Sequence, residues 1–403
     1  MIQVAILGAG SMGRTHTEAY LHFPDDCRIT AVINPHKEKA EALIKDFHLD
    51  EANAYTSLKD AFAADHFDLV SICTPPALHF EETMDALQHG KHVLLEKPMA
   101  SSLEECDQMI EAAKENNCLL SVVFQNRYKN ENYRLHEMLT SGKFGSIRQA
   151  IVNSFWWRGE SYYDIYWRGT WEKECGGVFT AQAIHHIDLL LWMMGKEPDK
   201  VSAMISNVGH HNSEMEDVGV SIWQYPDALA QLNASLVAFG QEKSLIFQTD
   251  KLKLSVPWDP TASLSRSNGF PLDDPETVKE ASDYYHSIPV LPYEGHAGQI
   301  KDVLNYIKTM DSTYSSFTEH SGAHGHDKKG SEKKRIFATG VDGREAIEMI
   351  MATYKSAVED HSVTVPLRKN DPFYQKSTMV KCMPHFHEKT RSVEQFDDTT
   401  MIL

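Results

Sequence analysis

The sequence predicts an α/β protein in two parts: an N-terminal doubly wound parallel sheet of the Rossmann kind, then an α+β domain built on an open, mostly antiparallel sheet. Three observations predict it. Short continuous apolar runs alternate with helical patterns in the first third of the chain. A Gly-x-Gly-x-x-Gly turn joins the first run to the first helical pattern. From about Ser146 the strand-like runs lengthen and few helical patterns separate them.

Taken in order, Val4–Leu7, Ile29–Ile33, Leu69–Cys73, Val93–Leu95 and Leu119–Phe124 read as buried parallel strands, and His36–Phe47, His79–His89 and Leu103–Asn116 as the helices between them. The later strands are expected over Ile147–Arg158, Lys200–Val208, Val218–Tyr225, Leu229–Val237 and Leu252–Val256, with Tyr225-Pro226-Asp227-Ala228 turning one hairpin. A helical segment, Gly343–Ala357, and a last strand, Ser362–Leu367, follow. The expected division is a dinucleotide domain over 1–125, a substrate and oligomerisation domain over 126–367, and a tail over 368–403. Residues 311–335 and the tail, polar and without periodicity, are expected to be poorly ordered.

Composition narrows the partners. Lys plus Arg number 39 against 57 Asp plus Glu, a formal charge of −18. So acidic a surface repels phosphate backbones and anionic lipid, which argues against nucleic acid or a membrane as partner. The first residues enter a strand at once, with no charged leader before an apolar stretch. The apolar stretch Ile184–Met194 is broken by His185, His186 and Asp188. Six cysteines without metal-type pairing suit reduced thiols, and the expected compartment is the cytoplasm.

The glycine turn carries the first chemistry. Gly8 allows a tight turn, Gly10 lets the backbone approach a pyrophosphate, and Gly13 lets the helix pack close to the strand. Ser11, Met12 and Gly13 then open the helix whose N-terminus favours an anion. Asn34 follows Gly13 by 21 residues, where an Asp or Glu would bind both ribose hydroxyls and repel a 2′-phosphate. Asn binds ribose without that repulsion, so NAD is the expected cofactor and NADP the alternative. Glu96-Lys97-Pro98 closes another strand, and the proline keeps Lys97 out of helical backbone at the sheet edge where ligands sit.

On a helical wheel, Phe179, Ala183, Ile187, Leu190, Leu191 and Met194 form a core stripe. Ala181, Gln182, His185, Asp188 and Trp192 fall opposite, facing either solvent or a cleft. His185 is the best general-base candidate, because imidazole titrates near neutrality. His186 points elsewhere and reads as structural. Eight aromatics lie between Phe155 and Trp171, interleaved with Arg158 and Arg168. Aromatic faces suit sugar C–H faces and arginines suit their oxygens; packing or an interface would account for the rest. Two His/Cys groups, His320/His324/His326 and Cys382/His385/His387, lack a supporting second pair, and no metal is expected.

In order and spacing, the glycine turn, Glu96-Lys97-Pro98, Asn126-Arg127, Arg158-x3-Tyr162-Tyr163, Trp167–Trp171, Gly176-Gly177 with His185-x-Ile187-Asp188, and the late segment Gly340–Tyr354 resemble the Gfo/Idh/MocA oxidoreductases over residues 1 to about 367. The resemblance implies an NAD(P)-dependent hydride transfer at a secondary alcohol of a cyclic polyol, sugar or sugar derivative. It makes Lys97 the lysine that orients the hydroxyl and His185 the proton carrier. Thr74, Pro75, His79, Glu96 and Asn126 match positions around the cofactor or site mouth, and Arg168 a position near substrate. Tyr163 and Gln182 join the expected substrate contacts, Gln182 because the family's usual Asp or Asn is here Ala181. The outer face of the second sheet would build a homodimer or homotetramer. Two other activities share these motifs: a glycoside hydrolase using NAD transiently, and a noncatalytic sugar or dinucleotide sensor, which Ala181 favours slightly.

Overall fold

The computed structural model describes residues 1–310 and 336–394. Six parallel strands, β1 (Ile2–Leu7), β2 (Cys27–Ile33), β3 (Asn53–Tyr55), β4 (Leu69–Ile72), β5 (His92–Leu95) and β6 (Leu120–Val122), build the first sheet. Their order is β6-β5-β4-β1-β2-β3, so the direction of winding reverses beside β1, where a crevice opens at the strands' C-terminal ends. Buried apolar runs such as Val4–Leu7 and Leu69–Ile72 make both faces of this sheet core, because helices cover both. Those helices are α1 (Ser11–Leu21), α2 (Lys37–Asp46), α3 (Leu58–Ala64), α4 (His79–Gln88) and α5 (Leu103–Glu115). Ser57 and Ser102 cap α3 and α5 through side chains that accept from the backbone N–H three residues on.

After α6 (Asn130–Thr140) the chain forms β7 (Ile147–Phe155), α7 (Ile184–Met194), β8 (Lys200–Ser206), β9 (Val218–Gln224), β10 (Leu229–Ser235), β11 (Lys243–Thr249), β12 (Leu252–Val256), β13 (Thr261–Ser265) and β14 (Pro271–Asp273). With a short last strand over Val363–Thr364, these make a nine-stranded sheet that is antiparallel except where β10 lies parallel to β7. The expected turn is present, with Tyr225 N donating to Ala228 O at 2.9 Å. Strands β3, β11, β13 and β14 and helices α3, α6, α8 (Pro275–Ser287) and α9 (Gly295–Met310) were not expected from the sequence.

The late chain returns to the first sheet. Helix α9 packs on α1, and β15 (Ala338–Thr339) pairs antiparallel with β6 before α10 (Gly340–Glu359) begins. Gly343 of α10 packs so closely that an added Cβ would lie 2.7 Å from a Val122 methyl. The stretch after Arg368, expected to be poorly ordered, is instead folded up to residue 394: α11 (Lys376–Cys382) forms, Phe373, Tyr374, Met379 and Met383 are buried, and Val393 pairs with Ile165. Its apolar residues are few, but Phe373, Tyr374, Met379 and Met383 are buried without a helical or strand period to announce it. The expectation for 311–335, and the His320/His324/His326 group within it, lie outside the described residues. Among the described residues no helix is long and apolar enough to cross a membrane.

Candidate active site

The glycine turn follows β1 at the edge of the crevice. Gly8 has φ +101°, and a Cβ there would lie 2.7 Å from Cys73 O. A Cβ on Gly13 would lie 1.9 Å from Gly8 O, so strand, turn and helix close only without side chains. Above Gly10 the space is open, with nothing within 4 Å of an added Cβ. Helix α1 has no side-chain cap and no acidic residue in its first turn, so its N-terminal amides remain for an outside acceptor. This is a cradle a pyrophosphate fits. Asn34 ends β2 beside it; its Oδ1 accepts from His36 N at 2.9 Å, leaving the side-chain amide to donate to a ribose.

Two residues expected around the cofactor act from behind. His79 is fully buried, its ring nitrogens 2.7 Å from Pro98 O and 2.9 Å from Thr74 O, so it ties the Thr74-Pro75 loop to the turn after Lys97. Glu96, also buried, accepts from His16 Nε2 at 3.0 Å, and its other oxygen accepts from Lys97 N at 3.2 Å. His16 in turn meets Ser71 Oγ at 2.7 Å, and His296 of α9 lies 3.7 Å from Glu96. Burial opposes ionisation of Glu96, but these histidines hold its carboxyl well below the usual range. His16, Glu96 and His296 are the one group among the described residues whose ligand atoms gather closely enough to suggest a metal. No spacing in the sequence points to this group, because the three stand on separate elements. Thr74 Oγ1 donates to Glu82, and Asn126, at the start of the second part, is half-buried.

The segment before α7 departs from a regular helix. Phe179–Ala183 forms a π-helical turn, a feature common at functional sites. Glu216 organises its start, accepting from Gly177 N and Phe179 N at 3.2 Å each and from the Tyr354 hydroxyl at 2.9 Å. Burial pushes that carboxyl up to about 7. Gly177 is required here, since a Cβ would lie 2.0 Å from Glu216 O. Lys97 Nζ donates to Ala181 O, a carbonyl of this turn, at 3.0 Å. A backbone carbonyl thus meets the lysine where an acidic or amide side chain was missed in the sequence.

His185 is buried, and its Nδ1 has no hydrogen-bond partner among the described residues. Burial first, and the charge of Lys97 second, push the imidazole well below its usual value, so it is neutral at pH 7. Burial also lowers Lys97, against the pull of Glu96. Gln182 Nε2 donates to the Tyr162 hydroxyl at 3.2 Å. Arg168 lies 4.1 Å from the ring centres of both Tyr162 and Trp167 and is ion-paired with Glu174 at 2.5 Å.

Three expectations need correction. Tyr163, expected to touch substrate, is fully buried between Tyr162, His210 and Gly169; Tyr162 is the tyrosine beside Gln182 and Arg168. Asp188, placed on the cleft side of the wheel, is buried and holds Arg127 through both oxygens, at 2.5 and 3.0 Å. Trp192 stacks on His136 with ring centres 3.6 Å apart. Helix α6, packing on that side, fills what the wheel left open. His186 is structural as expected, its Nδ1 2.9 Å from Ser154 Oγ. Cys175 is a buried thiol 2.8 Å from Ser101 Oγ, and burial raises its pKa, which favours the protonated form.

A parallel sheet whose winding reverses beside β1, with an uncapped glycine turn at that crevice, defines the dinucleotide-binding Rossmann class of protein. Two family models place it further: the oxidoreductase family NAD-binding Rossmann fold matches residues 2–124, and the GFO/IDH/MocA C-terminal domain matches residues 133–254. The chain belongs to the Gfo/Idh/MocA oxidoreductases. It is 31% identical over 206 residues to the scyllo-inositol 2-dehydrogenase (NADP(+)) IolW of Bacillus subtilis, covering 51% of this chain and 54% of that protein. It is 27% identical over 194 residues to the D-glucoside 3-dehydrogenase of Escherichia coli, covering 48% and 54%. The chain thus spans about half the length of the curated relatives it matches. Among solved structures, the WlbA dehydrogenase of Chromobacterium violaceum, in complex with NADH and UDP-GlcNAcA, superposes with a TM-score of 0.72 at 26% identity, over 91% of this chain and 96% of that one.

Proposed function

We propose that this protein transfers hydride between a secondary alcohol or ketone of a cyclic polyol, sugar or sugar derivative and a nicotinamide cofactor. The observation that carries the reading is the pairing of Lys97, fixed on Ala181 O, with a neutral His185 whose Nδ1 has no partner among the described residues. The cofactor, when bound, supplies the hydride-accepting ring. Gly8, Gly10, Ser11, Met12 and Gly13 would hold its pyrophosphate, with Asn34 at the ribose and Thr74, Pro75 and Asn126 along the crevice.

The chain's own part is proton handling and orientation. Lys97 spends one N–H on Ala181 O, which aims the ammonium and leaves its other protons for the substrate oxygen. A cation beside that oxygen lowers the hydroxyl's pKa. His185, neutral because it is buried beside Lys97, then accepts the hydroxyl proton in oxidation and returns it in reduction. Tyr162, Trp167 and Gln182 line the ring's place, and Arg168, stiffened by two aromatic faces and Glu174, offers its remaining N–H groups. The relatives named above are dehydrogenases and lend the hydrolase alternative no support. The sensor reading would leave the Lys97–His185 pair without a task.

The outer face of the second sheet supports the expected homodimer or homotetramer: Met204, Val220, Ile222 and Leu229 are exposed there on paired strands. The test of the reading is steady-state absorbance at the NADH band with NAD or NADP and a panel of cyclitols, sugars and sugar derivatives. Cofactor-dependent turnover is expected; cofactor binding without turnover on any of them would favour a sensor.

A further inference from the structure

Past the end of β7 the chain stays extended, with Trp156 N donating to Ser235 O and Arg158 N to Leu236 O, both at 2.8 Å. Side-chain contacts put Ser154 and Trp156 on one side of the sheet and fold Arg158 over the Trp156 ring. That side faces α7, the helix of His185: Ser154 Oγ meets His186 Nδ1 at 2.9 Å and accepts from the Trp156 indole at 3.2 Å. Lys243 of β11 stands directly opposite Ser154, so it shares the side, and its Nζ lies 3.6 Å from the Trp156 ring centre. The Arg158 guanidinium lies 5.4 Å from that same ring and 5.6 Å from Tyr162. Two cations thus share one indole at the border of the sugar cleft.

Neither cation is in an ion pair among the described residues. Arg158 bonds only neutral oxygens, Trp157 O at 2.8 Å and Gln241 Oε1 at 3.3 Å. The nearby carboxylate, Glu174, is already committed to Arg168. Lys243 is lowered first by burial and then by the charges of Lys129 and Arg158, so a third cation, at the start of α6, feels the same cluster. The charge of Arg158 also reaches Lys97. In a chain of net charge −18, cations have carboxylates in plenty to pair with, yet these gather at one cleft edge without any. Their mutual repulsion is relieved when an anion enters.

We propose that Trp156, Arg158 and Lys243 form an anion-binding subsite beside the reacting hydroxyl, so that the substrate is a sugar or cyclitol bearing a carboxylate or phosphate group. The indole would hold guanidinium and ammonium in place while they take the anion's oxygens. This rests on the sugar oxidoreductase reading and narrows it.

The test is calorimetry with NADH present, using glucuronate, glucose 6-phosphate and UDP-glucuronate against glucose and myo-inositol. The anionic probes are expected to bind at least ~10-fold more tightly than the neutral ones, with the advantage shrinking as salt rises from about 50 to about 300 mM. Arg158→Gln and Lys243→Gln should each weaken the anionic probes ~10-fold, with neutral sugar affinity, NADH affinity and melting temperature moving little. The order among the three anions tells a carboxylate from a phosphate preference. Equal affinity for neutral and anionic probes, or variants that bind the anions as wild type does, would overturn the subsite; so would variants that lose NADH instead. Turnover of neutral polyols without any anion preference would sink the subsite and spare the oxidoreductase reading. Arg158-dependent anion binding with no turnover on any probe would do the reverse.

Discussion

Asp188→Ala separates a structural carboxylate from a catalytic one. Asp188 stands one residue past Ile187 on the His185 helix, on the same side of the wheel as His185. In the structure its two oxygens hold Arg127 Nη2 and Nε at 2.5 and 3.0 Å, with side-chain exposures of 1% and 4%. Removing one partner of such a buried pair costs ~3–5 kcal/mol, because the other charge is left desolvated. Asp342 still meets Arg127 Nη2 at 3.0 Å and is partly exposed, which places the loss at the low end. A loss of ~3 kcal/mol at ~2 °C per kcal/mol lowers Tm by ~6 °C. Asp188→Asn, which keeps an acceptor, should lose less. Thermal melts with and without NADH measure this, alongside kcat at a temperature well below both transitions, where little change is expected. A variant as stable as wild type whose kcat falls ~100-fold would make Asp188 an acid–base group and refute the argument.

Three further outcomes follow from the geometry. Gly13→Ala should abolish tight NADH binding, measured by fluorescence titration, because its Cβ would collide with Gly8 O at 1.9 Å and push the turn out of shape; binding within a few-fold of wild type would contradict the turn's role. Asn34→Asp can keep the bond to His36 N while adding a charge, and should raise the NAD over NADP preference in kcat/KM at least ~10-fold. The pH profile of kcat/KM should have its acid limb well below pH 6.5: burial and then Lys97 lower the folded-state value of His185, so the base form persists as pH falls. Since a lowered histidine prefers to be neutral when folded, His185 also costs stability as pH falls below its unfolded value, near 6.5, and the difference vanishes above it. Lys97→Met removes the second cause and should move that limb upward; an acid limb near 7 in the wild type would contradict the assignment.

Much of the site was legible because its signals are local. The glycine turn, Lys97 before Pro98, and His185 after paired glycines each sit within a few residues whose backbone demands are visible in their types. What escaped depends on distant partners. Strand β11 has one short apolar run, Leu245–Phe247, between polar ends, and its burial is set by β7, nearly a hundred positions earlier. Helix α8 buries only Ala281 and Tyr285, too little for a periodic signal, whereas Ile300, Val303, Leu304 and Ile307 of α9 do hold helical spacing and could have been read. The wheel misjudged Asp188 and Trp192 because angle alone does not tell a cleft from a face that α6 covers. It misjudged Ala181 because a π-helical turn, not a side chain, supplies the acceptor for Lys97. Adjacent tyrosines point to different sides, and only the packing of Tyr163 on His210 and Gly169 says which one is core. The folded stretch after Arg368 is held by scattered contacts, such as Trp171 Nε1 donating to Pro384 O at 3.1 Å and Asn212 accepting from Thr390 N at 2.8 Å.

The most direct measurement is single-turnover absorbance at the NADH band for wild type and Lys97→Met on whichever carbohydrate the wild type oxidises, with NADH affinity measured on both. A fall in the hydride-transfer rate of ~100-fold or more, with NADH affinity nearly unchanged, is what a lysine seated on Ala181 O beside a neutral imidazole requires. A variant that turns over as fast as wild type would leave the nucleotide cradle in place and remove the chemistry assigned to it.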